Sequence, residues 1–319
     1  MNTIRGWLGA VALVLSLAAA PEVEAAKLKH TTVQQGDETV YSATWAVGKA
    51  RQTVKAPLPN ADVQADLKAP LRFPRGAAAE AQAKAVREWA KAGVPKSVKL
   101  KVKANKAGGV SFSVSAKSRS VAKKALADAQ QVANRELRRF AEEKGFIVDA
   151  GNTILPDHAR EAVESAPALS ALAAALAEGL PADDPRAFAA KALHFAQSIP
   201  YEKRKNGGDA GFRRPLSLLV KNKGDCDGKT VLFLGLMRAR FPELPMAVVL
   251  VPEHAFAAVA LDAKSGEKTL KENGVTYVIL EPVGPAQVGI GEPSKAGRKG
   301  MRFGRAEIRP VPSSSTQGA

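Results

Sequence analysis

The chain has 319 residues, 45% of them hydrophobic and 5% aromatic, with 47 Lys and Arg against 31 Asp and Glu for a net charge of +16. That apolar fraction is enough for real cores, which excludes disorder throughout, and the length suggests roughly two domains. So few aromatic side chains argue against specific nucleic-acid recognition, while the charge favours encounter with anionic surfaces such as headgroups, acidic wall polymers or acidic proteins.

At the N-terminus Arg5 precedes an apolar run from Trp7 to Ala20, and Val23-Glu24-Ala25 supplies small residues at a cleavage site. This pattern predicts a secretory signal peptide over residues 1–25, because the apolar core of about 14 residues is shorter than the roughly 20 that span a bilayer. No later stretch is apolar for long enough, so no transmembrane segment is expected after cleavage, and the localisation expected is periplasmic or secreted. Cleavage would remove Arg5, Glu22 and Glu24 and carry the net charge from +16 to +17.

Residues 26–152 read as an N-terminal α+β accessory domain. Glu38 to Trp45 and Ser97 to Lys103 alternate with the period of two expected of strands, and Val110 to Ser115 returns the second of these through a turn at Ala107-Gly108-Gly109. Helices are expected from Ala77 to Ala92 and from Ser120 to Lys144, the latter stopped by Gly145 ahead of a strand at Phe146 to Asp149. An Ala-rich helix from Asp157 to Glu178 suggests a helical connector over residues 153–180. Asp183-Asp184-Pro185 then caps a helix from Arg186 to Ser198, near the start of a second domain over residues 181–308. Residues 202–214 are basic and glycine-rich, and are expected to form a mobile loop acting as a lid or substrate contact. Residues 309–319 are expected to be a disordered tail. No internal repeat is visible.

The chemistry concentrates in the second domain. Cys226 is the only cysteine, so no internal disulfide can form and an exported chain keeps it as a free thiol. It lies in Gly224-Asp225-Cys226-Asp227-Gly228-Lys229, at the start of the apolar run Thr230 to Met237. A helix beginning there would favour the thiolate through its N–H groups and dipole, whereas Asp225 and Asp227 oppose it and one of them would cap the helix. His254 and Glu281 follow in strand-like segments, giving the order nucleophile, base and orienter. The imidazole is expected to hold the thiol charged near neutral pH as an ion pair. A lone cysteine is more often a small core residue, a strand histidine more often satisfied in the sheet, and an edge carboxylate often a salt-bridge partner; the combination is what singles these three out. Asp262 is the fallback orienter. His30, His158 and His194 read as structural. The Cys226 N–H is the natural oxyanion donor, with Gln197 and Tyr201 as candidates for a second. One cysteine and four scattered histidines give no metal-ligand spacing, and no phosphate-binding glycine motif is present, so neither metal nor cofactor is expected.

The Gly-Asp-Cys-Asp turn opening a helix, the strand histidine and the acidic residue before Pro282 resemble a bacterial transglutaminase-like domain. Ile199-Pro200-Tyr201 and Arg214-Pro215-Leu216-Ser217-Leu218-Leu219 resemble the lead-in to its cysteine turn, and the likeness covers roughly residues 181–290. Glu281 stands where that family usually carries Asp. The resemblance implies an α+β, papain-like core in which a Cys-bearing helix packs on an antiparallel sheet. It also implies a Cys226-His254-Glu281 triad acting on amide or peptide bonds of a protein, peptide or cell-wall peptide through a thioester. The thioester could be resolved by water, as in a cysteine peptidase, or by an amine, as in a transamidase. Hydrolysis is slightly favoured, since a dry acceptor tunnel is commonly aromatic and this domain has few aromatics. The competing expectation is a non-catalytic module binding protein or cell-wall material.

Overall fold

A computed structural model describes residues 28–68, 71–149, 152–202, 212–302 and 306–313. The expected signal peptide, most of the loop at 202–214 and residues 314–319 lie outside them. The class is mixed α+β, with antiparallel sheets throughout.

The described chain opens with three strands, β1 (Lys29–Gln35), β2 (Glu38–Val47) and β3 (Ala50–Pro59), which form an antiparallel meander. Its two-residue turns each begin with a glycine at positive φ, Gly36 at 60° and Gly48 at 58°, as tight hairpins require. One face of the meander buries Tyr41, Ala43, Trp45, Val54, Ala56 and Leu58. Helix α1 (Asn60–Lys68) follows.

Next come α2 (Arg75–Gly93), the hairpin β4 (Lys99–Ala104) and β5 (Val110–Ser115), and α3 (Arg119–Glu143), whose cap Ser118 accepts from the Val121 N–H. Gly145, at φ 74°, ends the helical run and leads into the short pair β6 (Phe146–Val148) and β7 (Ile154–Pro156). This lobe has two small cores of its own, one centred on Val86, Ala129 and Ala133, the other on Ala141, Phe146 and Val148.

The remaining elements are α4 (His158–Ala177), α5 (Pro185–Ser198), α6 (Pro215–Lys221), α7 (Cys226–Arg240), β8 (Met246–Val251), β9 (His254–Val259), β10 (Thr269–Glu272), β11 (Val275–Leu280), α8 (Lys295–Arg302) and β12 (Glu307–Val311). Asp157, Asp184 and Asp225 cap α4, α5 and α7 with their side-chain oxygens, satisfying first-turn N–H groups. The five strands form an antiparallel sheet in the order β10-β11-β9-β8-β12. Its inner face, with Val248, Ala257, Val259, Val278 and Leu280, joins the main core, and its outer face, with Val249, Phe256 and Ile279, packs with Met301 of α8.

Helix α7 is the centre of the main core, buried from Gly228 to Arg238. At Gly235 it comes so close to α4 that a Cβ would lie 2.8 Å from Leu169 Cδ1 and 2.9 Å from Ser165 Oγ. Two expectations about organisation are therefore corrected. Residues 153–180 are not a connector, because α4 contributes Leu169, Leu172 and Leu176 to the same core as α7. Nor does packing divide at residue 152: the β1–β3 meander shares the main core, and only the lobe from α2 to β7 packs separately. Residues 309–311, expected in a disordered tail, belong to β12, where an edge position tolerates Pro310 opposite Ala247.

Candidate active site

The turn that delivers Cys226 is fixed by backbone pairing upstream. Gly224 N–H donates to the Pro200 carbonyl at 3.2 Å and its own carbonyl accepts from Glu202 N–H at 2.9 Å. Asp225 then accepts from Gly228 N–H at 2.9 Å, so Cys226 becomes the first residue of α7. One turn on, Thr230 Oγ1 donates to the Ala255 carbonyl at 3.2 Å, pinning the start of α7 to β9. The Ala255 N–H faces the Cys226 sulfur, so the thiol meets β9 one residue from His254.

His254 opens β9 after a sharp bend in which Glu253 adopts φ 63°. Its Nε2 lies 2.9 Å from one Glu281 carboxylate oxygen and 3.1 Å from the other. Glu281, directly after β11, is fully buried. Its carbonyl accepts from Gln197 Nε2 at 2.9 Å, and the same amide donates to the Val288 carbonyl at 3.0 Å. A Cβ at Gly297 of α8 would sit 3.1 Å from Glu281 Oε2, so a side chain there would require the carboxylate or α8 to shift by a few tenths of an ångström.

The three expected site residues thus gather at the end of the sheet where α7 begins. No hydrogen bond joins thiol to imidazole among the described residues. Cys226 Sγ donates instead to Asp227 Oδ1 at 3.4 Å. Burial, then the Asp227 and Asp225 carboxylates, push the thiol well above its ordinary pKa, against the lowering effect of the Ala255 N–H. This corrects the expected thiolate-imidazolium pair: the resting group is a neutral thiol, because burial and two anions outweigh the helix end.

The supporting candidates are also re-sorted. Gln197 spends its amide on two backbone carbonyls, which makes it a clamp on the Glu281 segment rather than an oxyanion donor. Asp262 is exposed beyond β9, its backbone carbonyl held by Arg186, and is not beside the imidazole. Tyr201 is 42% exposed and bridges Gly224 at the entrance to the cysteine turn. His30 is structural, its Nε2 3.0 Å from the Val220 carbonyl, and burial lowers the His194 pKa.

Two further neighbours complete the site, His158, which the sequence reading set aside as structural, and Lys229, which it did not single out. His158, first residue of α4 and buried, brings Nε2 within 3.7 Å of Asp227 Oδ2, while its ring stands edge-on to Phe212 with centres 5.4 Å apart. Lys229, fully buried, points its ammonium at the Gln197 carbonyl 3.4 Å away and faces the Glu281 carboxylate; burial brings its pKa down to about 7, with Glu281 opposing. The Gly-Lys pairing beside an apolar run was the only sequence signal for Lys229. Among the described residues no three His, Cys, Asp or Glu side chains gather as a metal-ligand set, and no helix is long and apolar enough to cross a membrane.

No family model, curated protein or solved structure matches the chain.

Proposed function

We propose that the chain is an exported, periplasmic or secreted, transglutaminase-like thiol enzyme that acts on amide or peptide bonds of a protein, peptide or cell-wall peptide. Cys226 is the nucleophile, His254 the base and Glu281 its orienter. The observation that carries this reading is the Glu281 carboxylate bound to His254 Nε2, one residue from the Ala255 N–H that faces the Cys226 sulfur.

With Nε2 committed to Glu281, Nδ1 is the free nitrogen for the thiol proton. Rotation of Cys226 away from Asp227 brings the S–H to that nitrogen. His254 takes the proton as the sulfur attacks the carbonyl carbon, and the Cys226 N–H at the helix start donates to the oxyanion. The imidazolium protonates the leaving amine and a thioester remains. Water, deprotonated by the same imidazole, releases the acid; an amine in its place gives a new amide. Hydrolysis is favoured because the domain has few aromatics to line a dry acceptor channel.

Turnover of fluorogenic peptide amides, with incorporation of an amine probe into a protein acceptor as the second arm, tests the reading. Cys226→Ala and His254→Ala should each remove at least about 10^3-fold of the activity. Retention of activity in either variant overturns the assignment. A non-catalytic module is the second reading, favoured by the neutral thiol held on Asp227; on that reading the Cys226→Ala protein keeps its partner and no turnover is found in the parent chain.

A further inference from the structure

The charge of this chain is not spread evenly. From Trp89 to Ala127 there is no Asp or Glu, while ten Lys and Arg fall in that stretch. Its centre is the β4–β5 hairpin, whose two faces differ completely. Leu100, Val102 and Phe112 turn inward against the core of α2 and α3. Outward stand Lys99, Lys101 and Lys103, paired in register with Ser115, Ser113 and Ser111, all exposed. Successive residues on one face of a strand lie about 6.7 Å apart, so the three ammonium groups form a row about 13 Å long.

The row continues into the hairpin tip. Asn105 closes that loop by accepting from Gly109 N–H at 2.8 Å and donating its own N–H to the Gly109 carbonyl at 2.9 Å, which holds Lys106 at the apex. Gly108 packs so near Arg75 that a Cβ would fall 2.7 Å from its Cβ, adding another exposed base beside the tip. None of these five bases takes part in an ion pair among the described residues.

We infer that the outer face of the β4–β5 hairpin docks on an anionic phospholipid headgroup surface. A flat, preorganised array of lysines between hydroxyl donors suits a flat array of phosphates, and clusters of four to eight bases bind such surfaces at about fivefold per residue. A nucleic-acid groove would interleave aromatic side chains for stacking, and this face exposes none, Phe112 and Trp89 being turned into the core. The inference is independent of the chemistry at Cys226.

The test is sedimentation of the full mature chain with vesicles of phosphatidylcholine alone and of phosphatidylcholine mixed with phosphatidylglycerol. The mixed vesicles should bind and the neutral ones should not. Replacing Lys99, Lys101 and Lys103 together by Gln should weaken binding about 100-fold, whereas the same charge change at exposed Lys55, Lys264 and Lys271 should have far less effect. Ser111→Lys with Ser113→Lys, a variant that extends the row without removing anything, should tighten binding. Equal loss in the two triple variants, no gain from the added lysines, or no preference for the mixed vesicles overturns the inference. So does a single-stranded oligonucleotide that binds the row more tightly than the vesicles do.

Discussion

Replacing Asp227 by Asn should turn the slow thiol of Cys226 into a faster one. The thiolate would form 3.4 Å from a carboxylate oxygen. At an effective dielectric of about 20 that repulsion is about 5 kcal/mol, and the carboxylate is 24% exposed, so solvent screening reduces it to about 2 kcal/mol. At fixed pH below the midpoint, 2 kcal/mol is about 30-fold in thiolate population. A thiolate of lower basicity is also a weaker nucleophile, by about fivefold over that range, which leaves a net gain of about sixfold in alkylation rate. The assay is iodoacetamide modification of the single cysteine, followed by intact mass across a pH series. The Asn variant should titrate at lower pH than the parent, and combining it with His254→Ala should keep that displacement, because the carboxylate acts on the sulfur directly. An unchanged midpoint would refute the reasoning, showing that burial alone holds the thiol neutral.

Lys229 predicts a dependence of stability on pH. Its folded pKa, about 7, lies below the unfolded value of about 10.4, so above pH 7 the unfolded chain binds more protons and stability rises with pH. Above about pH 8.5 unfolded Cys226 ionises while the folded thiol stays protonated, which cancels the Lys229 slope and levels the curve, so the window of rising stability is pH 7 to 8.5. Across it the parent should gain up to about 2 kcal/mol in urea unfolding that Lys229→Met lacks; equal slopes would show that the ammonium is not held at a depressed pKa. Gly297→Ala should lower turnover while leaving alkylation of Cys226 intact, since its methyl displaces the Glu281 carboxylate and not the thiol; unchanged kcat would mean that α8 yields instead. Gly235→Val should cost about 1–3 kcal/mol by crowding Leu169 and Ser165, read from the thermal midpoint, and no change would mean that α4 and α7 can part without loss.

Local rules carried much of the secondary structure. Ser118, Asp157, Asp184 and Asp225 mark helix starts by chemistry confined to a few residues, and the Leu100/Val102 alternation shows which hairpin face is buried. Assignment of partners is where local information fails. An Ala-rich amphipathic helix at residues 158–177 is compatible with a linker or a core, and only α7, far along the chain, decides that it is core. In β3 the sequence Val54-Lys55-Ala56-Pro57-Leu58-Pro59 does alternate, but its prolines disguise an edge strand whose buried side faces residues more than a hundred positions away. Pro310 disguises β12 in the same way.

At the site, the order of Cys226, His254 and Glu281 was legible because each sits at the beginning or end of a regular element, where sequence punctuation is strongest. The state of the thiol was not, because it depends on whether a helix end or two carboxylates controls a half-buried sulfur, and that balance is set by side-chain direction. The same site shows why. Asp225 turns its carboxylate to the Gly228 N–H and serves the helix, while Asp227, two residues on and identical in chemistry, turns to the sulfur on one side and to His158 on the other. A second imidazole therefore lies on the far side of the carboxylate that holds the thiol. His158→Phe keeps the edge-on packing against Phe212 but removes the ring nitrogen 3.7 Å from Asp227 Oδ2, which leaves that carboxylate to the sulfur alone, so alkylation of Cys226 should slow relative to the parent. Identical rates in the two proteins would show that Asp227 answers to the thiol alone.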